Sequence, residues 1–140
     1  MQTFFILVKF YQNSIDMLKK KTVKDHLKNA PQFLIDLFES LNRKILELDK
    51  VKDNVTGPYI GYNFLPGHKK PRLFVEVHIQ KRNQKIVLHL RPVEYKDPQN
   101  KIFEYTYVPK WPLRRGVDII SEQDINYCMP LIEQSYKNVL

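Results

Sequence analysis

Residues 59–91 decide the fold: YIGYNF at 59–64, LFVEVHIQ at 73–80 and KIVLHLR at 85–91. Each run is short, rich in β-branched or aromatic residues, and alternates in character, which is the pattern of a half-buried strand. Leu65–Pro71 holds two prolines and a glycine and reads as a loop. Arg82-Asn83-Gln84 reads as a short polar hairpin turn. The three runs therefore predict an antiparallel β-meander. Residues of equal parity share a strand face. That rule places Leu73, Val75, Val77 and Ile79 towards a core, and Phe74, Glu76, His78 and Gln80 away from it. Ile86, Leu88 and Leu90 likewise oppose Val87, His89 and Arg91. His78 and His89 then lie near each other on the outer face. They are read as solvent-facing sheet residues, with a catalytic or metal role as the alternative.

Upstream, Phe33, Leu34, Leu37, Phe38, Leu41, Ile45 and Leu48 repeat at helical spacing. They predict an amphipathic helix over 31–48, with Asn29 as its N-cap and Pro31 in its first turn. Thr22–Leu27 reads as a short turn or strand, and Gly57-Pro58 breaks the chain before the first strand. Downstream, Pro92 ends the third strand, and residues 102–108 alternate like an edge strand. Residues 109–115 are irregular, and residues 116–120 make a last strand candidate. Ser121–Asp124 resembles a capping box. Ile125, Cys128, Met129, Ile132 and Tyr136 then form an apolar stripe, with a kink expected at Pro130. The expected fold is α+β: an antiparallel β-meander packed against an N-terminal and a C-terminal amphipathic helix. The expected division is a single domain over 22–140, preceded by an extension over 1–21. In that extension Thr3–Tyr11 has strand character, and Gln12–Lys21 is a polar linker.

The net charge is +8 in 140 residues, and it is unevenly placed. Residues 51–115 carry 13 Lys/Arg against 5 Asp/Glu; the remainder is neutral. Concentrated positive charge favours a polyanionic partner such as nucleic acid, the bland alternative being solubility and edge protection by lysine. The candidate contacts are Lys69, Lys70, Arg72, Lys81, Arg82, Lys85, Lys110, Arg114 and Arg115, with Trp111 able to stack on a base. The other reading of Trp111 is a roof over the sheet.

No apolar run approaches the length of a membrane helix, and no signal peptide is expected. The lone Cys128 excludes an internal disulfide and suits a reducing, cytoplasmic setting. Its position on a helix stripe reads as core. One Cys and four scattered His give no zinc spacing. Glu76 is the only acid between Pro58 and Pro92, so the carboxylate pair of a metal nuclease is lacking, and pairing with Lys85 is the simpler role. No catalytic residue, metal or cofactor is expected.

The order of DHL at 25–27, LFESLNRKILELD at 37–49, YIGYN at 59–63, FVEVHIQKRNQKIVLHL at 74–90 and DINYCMPLIEQSY at 124–136 resembles a bacterial and archaeal domain family of unknown function. That family is sometimes called a predicted transport protein and commonly follows restriction-type nuclease domains. The resemblance runs from about Thr22 to Tyr136. It implies an α+β domain behind a nuclease acting on foreign or modified DNA, and it supplies no catalytic residues. The chain departs from it at Lys110-Trp111-Pro112, where the family tends to flank Trp with glycine, and at Pro130. Phe5–Met17 weakly resembles the last strand of a preceding nuclease-like domain. The expectation is thus a non-catalytic, DNA-binding accessory domain of a defence or restriction nuclease, with weak sequence preference. The alternative is a protein-interaction module, or a homodimer formed through the N-terminal strand.

Overall fold

The computed structural model describes residues 21–105 and 111–140. The expected strand Thr3–Tyr11, nearly all of the expected linker, and Lys110 lie outside them.

The chain opens on a short helix, α1 (Val23–Leu27), not on a turn or strand. Thr22 Oγ1 accepts from the Asp25 N–H at 3.2 Å, and the Asp25 carboxylate accepts from the Thr22 N–H at 2.8 Å. This reciprocal capping box satisfies two N–H groups that the first turn leaves open. Asn29 does not cap the next helix. It adopts a left-handed conformation with φ 63°, a conformation common just past a helix end, and so closes off α1. The second helix, α2 (Gln32–Leu46), starts from Pro31 with no side-chain cap. Its stripe Leu34, Leu37, Phe38, Leu41 and Ile45 is buried as the spacing predicts. Phe33, placed on the same stripe by its spacing, is instead 46% exposed.

A strand missing from the sequence reading comes next: β1 (Val51–Val55), followed by β2 (Ile60–Phe64), β3 (Arg72–Gln80) and β4 (Lys85–Leu90). β5 (Phe103–Glu104) and β6 (Arg115–Ile119) lead into the last helix, α3 (Glu122–Lys137). All pairings are antiparallel, in the order β1-β2-β3-β4-β6-β5. The predicted meander is the middle of this six-stranded sheet. α3 is capped by Ser121, whose hydroxyl accepts from the Asp124 N–H at 3.2 Å, and it runs on through Pro130.

Both long helices lie on one face of the sheet. Ile60, Val75, Val77, Ile79, Ile86, Leu88, Leu90, Val117 and Ile119 meet the helix stripes in one buried cluster. Each side chain of this kind stabilises the fold by about 1.5–3 kcal/mol through its removal from water. Polar contacts fix the helices to the same face. The Tyr62 hydroxyl donates to Asn42 Oδ1 at 2.7 Å, and the Ser135 hydroxyl donates to the Phe74 carbonyl.

Strict alternation fails at one place. Tyr62 pairs with Val75, but Asn63 pairs with Leu73, so Phe74 is an extra residue in β3. Such a bulge turns the residues beyond it over. Phe74 is fully buried and packs against the Tyr136 ring of α3 at 5.3 Å. Leu73 moves to the other face, where its side chain lies over Gly61; a Cβ there would come within 3.0 Å of it. The parity assignment of these two residues is therefore reversed.

Candidate functional site

The sheet face opposite the helices carries the polar and aromatic residues of the meander. Strand pairing sets Glu76 directly across from His89, and His89 across from Gly116 of β6. His78 lies two pairs along, on the same face, with 6.4 Å between the two imidazole centroids. The expected proximity of the histidines is correct, but the expected exposure of His89 is not. His89 is 2% exposed and Glu76 8%.

The cover comes from a distant part of the chain. The Trp111 ring sits 4.5 Å from His89 and stacks on Tyr59 at 5.7 Å, with 24° between the planes. Tyr59 and Tyr105 close the remaining sides of His89 at 5.0 and 5.4 Å. Gly116 makes room for the end of this layer. A Cβ there would stand 2.4 Å from the Phe103 ring, so only glycine lets β5 lie close. Trp111 is thus half-buried as a roof, the second of its two sequence readings.

The electrostatics follow from that cover. Burial pushes the Glu76 carboxyl up, and a hydrogen bond with Trp111 pulls it partly back. Burial, then the neighbouring His78, lowers His89 to about 4. His78 is lowered by burial and by His26, whose Nε2 meets the Thr56 carbonyl at 2.8 Å. Neither ring nitrogen of His89 has a hydrogen-bond partner among the described residues. Glu76 therefore belongs to a buried cluster and not to an ion pair with Lys85; Lys85 bridges Asp118 at 3.2 Å. Among the described residues no group of three His, Cys, Asp or Glu side chains could hold a metal ion. Cys128 is buried, and burial pushes its thiol up to about 12, which suits a core residue and not a nucleophile.

The predicted cationic residues do not form one rim. Lys69, Lys70 and Arg72 precede or begin β3, and Lys81, Arg82 and Lys85 follow it. The nine residues of β3 separate the two sets by roughly 26 Å. Arg114 and Arg115 join the first set, because Arg115 and Val75 both pair with Leu90. Several of these charges are already engaged. Arg72 donates to the Val139 carbonyl at 2.9 Å, and Glu104 meets Arg114 at 3.1 Å and Arg115 at 3.9 Å. Lys69, Lys70, Lys81 and Arg82 have no ion pair or side-chain hydrogen bond among the described residues. The sequence reading missed the Tyr59–Glu76–His89–Trp111 cluster. Its parity pattern put Glu76 and the histidines on one face, but nothing local showed what would cover them.

Fold and site together define an α+β domain with one helix-covered sheet face and a second face roofed by aromatic rings. Residues 23–139 match the family described as "Domain of unknown function (DUF5655)", and the chain belongs to that family. It is also 30% identical over 135 residues to an uncharacterized protein of Haemophilus influenzae, a match covering 94% of this chain and 39% of that protein. The chain therefore spans about two fifths of the length of that relative. No solved structure matches it. No helix among the described residues is long and apolar enough to cross a membrane.

Proposed function

We propose that the chain is a non-catalytic accessory domain that grips the phosphate backbone of nucleic acid, in the cytoplasm, beside a nuclease of the restriction or defence kind. The observation that carries this reading is four predicted contact residues, Lys69, Lys70, Lys81 and Arg82, with no ion pair or side-chain hydrogen bond among the described residues. Lys69, Lys70 and Arg82 are exposed and Lys81 is half-exposed, and all four lie in the stretch that holds the whole excess of positive charge. Their division between two ends of β3 suits two separate contacts along an extended polyanion better than one anion pocket. Phosphate contacts of this sort position a domain without reading sequence. The greater length of the Haemophilus influenzae relative supports a role as one part of a larger architecture.

The test is binding to a labelled DNA duplex across a salt series. Each phosphate neutralised steepens the log–log salt dependence by about 0.9. Lys69→Ala, Lys70→Ala, Lys81→Ala and Arg82→Ala combined would therefore flatten the slope by up to about 3–4. Absence of wild-type binding at low salt would reject the proposal. A second reading, docking on a protein partner or on another copy, is favoured by the exposure of Phe33 and Ile120, at 46% and 63%, which line one groove with Leu37. Light scattering that finds a dimer lost on Ile120→Lys would favour it.

A further inference from the structure

We propose that His89 and Trp111 form an acid-sensitive latch, in which a proton taken up by the buried imidazole displaces the indole and opens the roofed sheet face to water. This goes beyond nucleic-acid binding and does not depend on it.

The geometry favours the neutral imidazole in the closed site. Protonated histidine carries two N–H donors, and a buried donor without an acceptor is costly. Both nitrogens of His89 already lack partners among the described residues. The groups that face it are few. Glu76 stands opposite on β3, but burial raises its carboxyl above 4.5 while His89 sits at about 4, so acid neutralises the carboxyl before the closed site charges the ring. His78, beside Glu76, would repel a second positive charge. Tyr59 and Tyr105 present ring contacts. Gly116 on β6 brings no side chain, and its flanking residues Arg114 and Asp118 are paired with Glu104 and Lys85. On β4 itself, Val87 is apolar, and Arg91 donates to the Leu73 carbonyl and to Asn138 Oδ1. Among the described residues no charged acceptor is then left facing the ring, so an imidazolium gains its partners from water, and Trp111 is the ring nearest to it, at 4.5 Å. Acid acts on Glu76 as well. Burial holds its carboxyl above its ordinary range, so the proton it takes up removes the negative charge that faces His89 across the strand pair.

Trp111 is the only tryptophan in the chain, so intrinsic emission reports this site alone. Between pH 6.5 and about 4, the ordinary and the lowered values for His89, the emission should shift to the red. Quenching by iodide should rise, while far-ultraviolet circular dichroism stays constant. His89→Phe, which fills the same aromatic space without a titratable nitrogen, should abolish the shift. Because that variant could fold poorly, the wild-type ring proton of His89 is followed by NMR, and its midpoint should coincide with that of the emission. Flat emission across the window, a shift that survives in a folded His89→Phe, discordant midpoints, or loss of the dichroism together with the shift would each overturn the latch.

Discussion

Two variants at the roofed site should change the pH dependence of global stability in opposite directions. The folded protein holds His89 at about 4 against an ordinary 6.5. Between those values the unfolded chain binds a proton that the folded chain refuses, so stability falls as the pH falls. At about 1.36 kcal/mol per unit, the whole window is worth up to about 3 kcal/mol. Glu76 acts with the other sign. Its folded value is raised above 4.5, so above that pH the folded chain binds the proton more readily, and acid restores stability. The wild type shows the difference between the two. Glu76→Gln removes the compensation and should make stability fall more steeply than wild type from pH 6.5 towards 4. His89→Phe removes the opposing loss and should make the fall shallower than wild type, or reverse it. Urea unfolding followed by circular dichroism at several pH values in this window measures both curves, and only the slopes relative to wild type matter. If the latch opens first, the His89 loss stops growing at the free energy of opening, and the Glu76→Gln curve flattens at its acid end. Identical slopes in all three proteins would refute the claim that these two side chains are buried together.

The bulge in β3 predicts an order of costs that alternation would reverse. Phe74→Ala should lose about 3–5 kcal/mol, as expected for a fully buried ring, while Leu73→Ala should lose about 1–2 kcal/mol, both read by urea unfolding. Tyr62→Phe removes the hydroxyl that donates to Asn42 and should cost about 1 kcal/mol by the same measurement. No loss at all would mean that the Tyr62–Asn42 bond does not help to hold α2 on the sheet.

Much of the architecture is legible in residue spacing. The stripe of α2 apart from Phe33, the Ile125, Cys128 and Ile132 positions of α3, the three runs of the meander and the alternation along β4 emerge where the reading places them, while Leu131 and Ser135 are buried more deeply than the predicted Met129 and Tyr136. The failures share a cause. VKDNV carries two charges in five residues and looks like loop, yet Val51 and Val55 become a strand because Phe64 and Ile60 stand opposite to pair with them. Leu73 and Phe74 exchange faces because the register with β2 slips by one residue. The supposed basic rim divides because a hairpin sends successive turns to opposite ends of a strand.

The sequence by itself determined the helix stripes, the central strands and the region where positive charge collects, since these depend on neighbours a few residues apart. The tertiary structure alone decided that His89 is buried, that Trp111 covers it, and that Lys69, Lys70, Lys81 and Arg82 find no partner among the described residues. Those outcomes depend on strand register and on contacts between residues tens of positions apart in the chain. No local pattern of spacing or charge encodes such contacts.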